Sequence, residues 1–159
     1  MKKTISIAVV LTALLACGSD DETKDMTYPV ISSEGVTENP VDCQTYRRGD
    51  VLPVCFAFTD DTELGNYNIE VHSNHDHHSH STSATECEED HDHDHEHANA
   101  VNPWVFNQDY AIPAGLRAYT ATHEIAIPSD IDPGDYHFMV RLTDRAGWQS
   151  LKAVAIRIE

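Results

Sequence analysis

A period-two alternation of apolar and polar side chains constrains the fold of this chain more than any other feature. In "GDYHFMVRLTD", apolar residues at every second position face one side, and His137, Met139 and Arg141 face the other. "VLPVCFAF" alternates in the same way, with its larger apolar residues on one parity. Because successive side chains of a strand point to opposite faces of a sheet, both runs predict half-buried β-strands.

Shorter runs of the same kind, separated by Pro, Gly and Asp turns, lie at residues 28–31, 67–71, 122–128 and 153–158. No segment shows a convincing amphipathic-helix pattern. Six or seven such strands predict an all-β fold, an immunoglobulin-like antiparallel β-sandwich. Segments 28–72 and 101–159 together supply roughly 100 residues, which is the size of one such domain.

Two short strings favour this class of sandwich. "IDPGDYHF" resembles the turn that opens the penultimate strand, where Tyr136 would form a tyrosine corner. "TDRAGWQS" resembles the hairpin that precedes the last strand in many bacterial immunoglobulin-like repeats. Both strings place the last two strands at the end of the chain.

Residues 73–100 break the strand pattern. They contain no apolar side chain except Ala and Cys87, so they cannot contribute to a core. We therefore expect a disordered His/Asp-rich loop insertion that leaves the sandwich at the end of a strand. Nine of the 11 His of the chain lie between His72 and His97, and seven acidic residues lie between Glu86 and Glu96.

The histidines of this insertion predict that the protein binds a transition metal. Neutral imidazole is a common metal ligand, and an extended His-x-His segment places both rings on one face. Neighbouring carboxylates can add oxygen ligands or orient the rings. The predicted metal ligands are His72, His75, His77, His78, His80, His91, His93, His95 and His97. Zinc is the first expectation, and copper and nickel are the alternatives.

The two halves of the insertion have different expected roles. His72 continues a predicted strand, so the segment from His72 to His80 is the better candidate for a fixed site. The segment from His91 to His97 has no residue that would fix its backbone. It resembles the His/Asp-rich loops of periplasmic zinc-binding proteins, which collect several ions. For the segment from His72 to His80, the alternative is a polar loop that is merely rich in His. For the segment from His91 to His97, the alternative is a solvated acidic linker.

Two further histidines lie in predicted strands outside the insertion. His137 is on the parity opposite the apolar stripe, so we expect it at the sheet surface, with a role as an extra metal ligand as the alternative. His123 shares its parity with Ile125, and we expect it at the edge of the core.

The first residues predict a lipoprotein signal peptide. Lys2 and Lys3 precede an apolar run at 5–15, which is too short to span a hydrocarbon core of about 30 Å. "LLAC" resembles a lipobox, in which the signal is cut before Cys17 and the Cys thiol is lipidated. An ordinary secretory signal is the alternative.

This reading divides the chain into a signal peptide at 1–16, an acidic tether at 17–27 and the β-sandwich domain at 28–159. The tether "GSDDETKD" resembles the signal that sends Bacteroidota lipoproteins to the outside of the outer membrane. We therefore expect an envelope protein, anchored in the outer membrane and exposed at the surface, with the inner leaflet as the alternative location.

The charge of the chain excludes one class of partner. The formal net charge is −17, and loss of Lys2 and Lys3 with the signal peptide makes it −19. Such a protein repels phosphate backbones and attracts cations, so we expect no nucleic-acid partner.

The cysteines predict one disulfide. With Cys17 lipidated, three Cys remain for an oxidising compartment. Cys55 lies in an apolar strand, where buried free Cys is common. We expect Cys43 to pair with Cys87, and a pair between Cys43 and Cys55 is the alternative.

Several strings together resemble a family of Bacteroidota lipoproteins, domain of unknown function 4625. They are "LGNYNIEVHSNHDHHSHST", "CEED", "VNPWVFNQDYAIPAG" and "GDYHFMVRLTDRAGWQS". The resemblance covers residues 28–159 and implies lipidation at Cys17, an immunoglobulin-like fold and an envelope location. It implies no particular activity.

The predicted function is therefore capture, buffering or transfer of a transition metal, with an outer-membrane receptor as a candidate partner. The alternative is an adhesion or scaffold module in which the His-rich loop has no function. We do not expect an enzyme, since the chain has no G-x-S-x-G, no Gly-rich phosphate loop and no H-E-x-x-H. Neither Cys55 nor Cys87 is followed closely by the His and Met of a blue-copper centre.

Overall fold

The computed structural model describes residues 24–74 and 101–159. This part of the chain contains eight β-strands and no helix, which confirms the all-β prediction. The strands are β1 (Val30–Ser32), β2 (Gln44–Tyr46), β3 (Val51–Thr59), β4 (Leu64–Ser73), β5 (Phe106–Ala111), β6 (Ala118–Ala126), β7 (Gly134–Asp144) and β8 (Gln149–Ile158). Among these residues there is accordingly no helix of the length and apolarity that crossing a membrane requires.

The strands form two sheets that pack as a sandwich. The smaller sheet has the order β1-β3-β6 and the larger one the order β2-β8-β7-β4-β5. The sandwich is antiparallel as predicted, except that the short edge strand β2 runs parallel to β8. Backbone bonds on both sides of β2 fix this pair: Cys43 N donates to the Ala155 carbonyl at 2.8 Å, and Glu159 N donates to the Tyr46 carbonyl at 2.9 Å.

The core lies between the two sheets and is built from the predicted apolar stripes. The fully buried side chains include Leu52, Val54, Phe56 and Phe58 of β3, Tyr67, Ile69 and Val71 of β4, and Tyr136, Phe138, Val140 and Leu142 of β7. Phe56 stacks on Phe138 with 6.0 Å between ring centroids, which joins the middle of one sheet to the middle of the other. The predicted apolar stripes are therefore confirmed as the core-facing sides of these strands.

The predicted tyrosine corner is present at the start of β7. The Tyr136 hydroxyl donates to the Asp132 carbonyl at 2.6 Å and accepts from the Trp104 amide at 3.2 Å. The Trp104 ring packs on the Tyr136 ring at 6.3 Å. The corner therefore ties the turn before β7 to the segment that leads into β5.

The predicted hairpin between β7 and β8 is also present. Asp144 Oδ1 accepts from Gly147 N at 2.6 Å and from Trp148 N at 2.9 Å. Gly147 has a φ of 97°, a left-handed conformation that favours glycine. The hairpin formed by "TDRAGWQS" is thus stabilised by the Asp144 carboxylate within it.

Contacts of the domain begin before its predicted boundary at residue 28. The Asp25 carbonyl accepts from Trp148 Nε1 at 3.0 Å, and the Thr27 hydroxyl donates to Asp61 at 2.8 Å. Residues 25–27, which we assigned to the acidic tether, therefore pack on the β7–β8 hairpin and the β3–β4 turn. The predicted signal peptide lies outside the described residues.

Candidate metal centre

The candidate centre is on the outer face of the larger sheet, where β4 and β7 lie side by side. Core-facing residues alternate along β4, so Glu70 and His72 point away from the core, and Asn74, directly after the strand, continues the same parity. His137 and Met139 of β7 share that outer face. The antiparallel register places His72 opposite His137 and Glu70 opposite Met139.

The two histidines contact each other across the strands. Their ring centroids are 5.5 Å apart and the rings are nearly perpendicular, at 87°. His72 Nδ1 lies 2.9 Å from Glu70 Oε1. A carboxylate beside one ring nitrogen is common among metal-ligating histidines. Glu70, His72 and His137 thus form one cluster on the outer face.

His137 is more buried than the sequence predicts. We predicted a residue at the sheet surface, and His137 does lie on the outer parity, but it is only 5% exposed. The His72 ring packs edge-on against it, and the residue that faces it from β8 is the small Ala155. The alternative expectation, a role as an extra metal ligand, stays a prediction.

Other residues of the patch are buried as well. Met139 is 6% exposed and Asn74 is 7% exposed, although both are on the outer parity. Ala153 and Ala155 of β8, which pair with Met139 and His137, are also buried. Paired histidines on a partly apolar floor are a suitable base for a metal ion, because water competes less for such a site.

The remaining predicted ligands cannot be placed on this patch. His75, His77, His78, His80, His91, His93, His95 and His97 lie outside the described residues, as does the predicted insertion that carries them. The chain enters that segment directly after Asn74, two residues from His72.

The structure describes two of the four cysteines, Cys43 and Cys55. Cys43 is disulfide-bonded and Cys55 is a free thiol, so the alternative pair between Cys43 and Cys55 does not form. The predicted partner Cys87 and the predicted lipidation site Cys17 lie outside the described residues.

His123 belongs to a separate aromatic cluster between the edges of the two sheets. His123 Nε2 and the hydroxyl of the buried Tyr67 are 2.7 Å apart, and the imidazole stacks on Tyr110 with 4.1 Å between centroids. Tyr119 of β6 packs on Tyr67 as well. Burial lowers the pKa of His123 and raises the pKa of Tyr67. The predicted position of His123 at the edge of the core is confirmed.

Three carboxylates meet at one end of the sandwich. Oxygens of Asp25, Asp60 and Asp61 all lie within 4.8 Å of one another. Asp60 Oδ1 accepts from the amides of Thr62 and Glu63, at 2.9 Å and 2.7 Å. The cluster is mainly organised by the β3–β4 turn and is remote in the fold from the end of β4 that carries His72.

Sequence reasoning did not assign a role to two residues that lie beside the histidines, Glu70 and Met139. The signal was available, since Glu70 precedes His72 by two residues and Met139 follows His137 by two, which puts each pair on one face of a strand. The pairing of β4 with β7 was not available from this pattern, and it is the pairing that brings the four side chains together.

The fold and the patch define a β-sandwich domain with paired histidines on the outer face of its larger sheet. The family model described as domain of unknown function (DUF4625) matches residues 15–159, and the chain therefore belongs to this family. No curated protein matches the sequence.

Proposed function

We propose that this protein is an envelope lipoprotein that binds a transition-metal ion at the outer face of its larger sheet. His72 and His137 are the fixed ligands, and the histidines between His75 and His97 supply further imidazoles. The observation that carries the proposal is the facing pair of histidines, with a Glu70 carboxylate oxygen 2.9 Å from His72 Nδ1. Its cellular role would be capture, buffering or transfer of the metal, with an outer-membrane receptor as the recipient.

The chemistry of the patch supports a borderline metal. Two imidazoles with a carboxylate behind one of them are a frequent arrangement at zinc, copper and nickel sites. A tetrahedral zinc site needs four ligands, and two histidines of the rigid sheet would leave two positions for the chain that follows Asn74. The segment after Asn74 is a suitable source of these two ligands, because it contains many closely spaced histidines.

The immunoglobulin-like class and the envelope location are parts of the same proposal. The strand orders β1-β3-β6 and β2-β8-β7-β4-β5, together with the tyrosine corner, are typical of immunoglobulin-like sandwiches. The lipobox-like "LLAC" before an acidic segment supports lipidation at Cys17 and attachment to the outer membrane.

Calorimetric titration of the purified protein with zinc, copper(II) and nickel tests the proposal. We expect wild-type protein to bind at least one of these ions, and His72→Ala and His137→Ala each to weaken the tightest site. Glu70→Gln should weaken it by about 10-fold or more, which is the usual effect of removing a carboxylate that orients a ligand.

Glu124→Gln is the matched control for Glu70→Gln. Glu124 is an exposed Glu on β6, in the other sheet, so its substitution should leave metal affinity unchanged. Circular dichroism of each variant checks that the sandwich is intact. Metal binding that is no tighter than that of a His-tagged control protein, or that is unaffected by all three substitutions in the patch, would contradict the proposal and favour an adhesion or scaffold role.

A further inference from the structure

We propose that the fixed part of this centre is selective for copper(I), through a donor set of His72, His137 and Met139. The inference rests on the proposed function and names the metal that the rigid sheet itself selects. It uses only side chains of β4 and β7.

The placement of Met139 is the first step. His137 and Met139 are two residues apart on β7, so their side chains leave the same face about 7 Å apart. His72 lies opposite His137 and contacts its ring, and Glu70 lies opposite Met139. The two imidazoles and the thioether therefore occupy three neighbouring positions of one patch. A Met side chain has three rotatable bonds, which lets its sulfur reach toward the histidines.

The nature of the donors is the second step. A thioether is a soft ligand and selects copper(I) among the common biological ions, while imidazole suits both copper and zinc. Zinc is usually held by Cys, His, Asp and Glu, and a Met thioether is not among its usual ligands. Copper(I) accepts three-coordinate sites, so His72, His137 and Met139 would suffice for it.

The polarity of the patch is the third step. His137 is 5% exposed and Met139 is 6% exposed, and the small apolar Ala153 and Ala155 lie beside them. Transfer of an ion from water to such surroundings costs more for a divalent than for a monovalent cation. The single negative charge of Glu70 balances the charge of copper(I) but only half the charge of zinc.

Competition for copper(I) against bicinchoninate, under anaerobic conditions with ascorbate, tests this inference on the purified protein. We expect Met139→Leu to weaken copper(I) binding by at least about 10-fold and to leave zinc affinity within about 2-fold of wild type. Leu conserves the volume of Met, so the sheet should keep its packing. Met26→Leu is the matched control, since Met26 is 65% exposed and lies outside the patch; it should change neither affinity.

A second measurement does not depend on the folding of a variant. With methyl-labelled Met, the resonance of Met139 should shift on addition of copper(I) and should shift much less on addition of zinc. An unshifted resonance, or copper(I) binding that Met139→Leu does not alter, would overturn the assignment of copper(I). If the copper(I) assignment failed but zinc binding still depended on His72, the proposed function would stand without the copper(I) selectivity. If no metal bound, the proposed function and the copper(I) assignment would both be wrong.

Discussion

At the scale of single residues, the contact between His123 and Tyr67 is the clearest pH-sensitive element outside the metal centre. The aromatic groups in contact with the imidazole are Tyr67 of β4 and Tyr110 of β5, and Tyr119 of β6 packs on Tyr67. None of these tyrosines carries a charge at neutral pH. Desolvation lowers the pKa of His123 from its ordinary value of 6.5. The folded chain therefore disfavours the protonated imidazole relative to the unfolded chain.

This shift predicts a loss of stability in mild acid. Because the folded pKa lies below the unfolded one, the unfolded chain binds more protons as the pH falls, and folding weakens. The contribution of neutral His123 is fully present above about pH 6.5 and is lost as the pH falls from there through the folded pKa. One proton sets a ceiling of about 1.4 kcal/mol per pH unit on the slope.

Urea unfolding of wild type and His123→Gln between pH 7.5 and 4.5, in the presence of a chelator, measures this effect. We expect the free energy of unfolding of wild type to fall more steeply below about pH 6.5 than that of the variant. Parallel curves for the two proteins would show that His123 titrates alike in both states.

The residue scale also shows what the sequence could and could not predict about the site. The period-two alternation predicts that His72 and His137 point away from the core. It also predicts that Glu70 and Met139 lie on the same strand faces as these histidines. The burial of His137 does not follow from parity, because it depends on neighbours such as His72, which packs on it from another strand. Those neighbours are set by strand pairing, which parity leaves open.

At the scale of elements, strands with strong alternation were predicted well and weakly patterned ones were missed. The predicted run at 134–144 coincides with β7, and the run at 51–58 is one residue shorter than β3. β2 has only three residues, and β5 has exposed polar residues at three consecutive positions. Both are edge strands of the larger sheet, where one side of the strand needs no apolar stripe.

The tyrosine corner gives the element-scale prediction. The Tyr136 hydroxyl is buried and both donates to the Asp132 carbonyl and accepts from the Trp104 amide. Tyr136→Phe keeps the ring in the core and leaves the amide and the carbonyl without this partner, which we expect to cost about 1–3 kcal/mol. Thermal or urea unfolding should show the loss, and the exposed Tyr28→Phe is the control. Equal stabilities of the Tyr136 variant and wild type would mean that the corner does not stabilise the sandwich.

At the scale of the whole molecule, strong negative charge decides how the protein could associate with a membrane. A chain with a formal net charge of −17 is repelled by anionic lipid headgroups, so electrostatic adsorption is not available to it. Within residues 24–74 and 101–159, the exposed large apolar residues are scattered. The lipid proposed at Cys17 would supply an attachment that does not depend on charge.

Lipidation at Cys17 is consequently testable by fractionation of cells that express the full chain. Each buried CH₂ of an acyl chain contributes about 0.8 kcal/mol, so a single chain gives marginal binding and two or more hold a protein stably. We expect wild type in the membrane fraction, resistant to high salt and released by detergent, and Cys17→Ser to lack the added lipid mass. Cys55→Ser, which removes the free thiol of β3, should remain lipidated. The charge of the domain opposes adsorption to the membrane. The lipoprotein assignment would therefore be contradicted if a Cys17→Ser protein, with its signal peptide removed, stayed in the membrane fraction at high salt as wild type does.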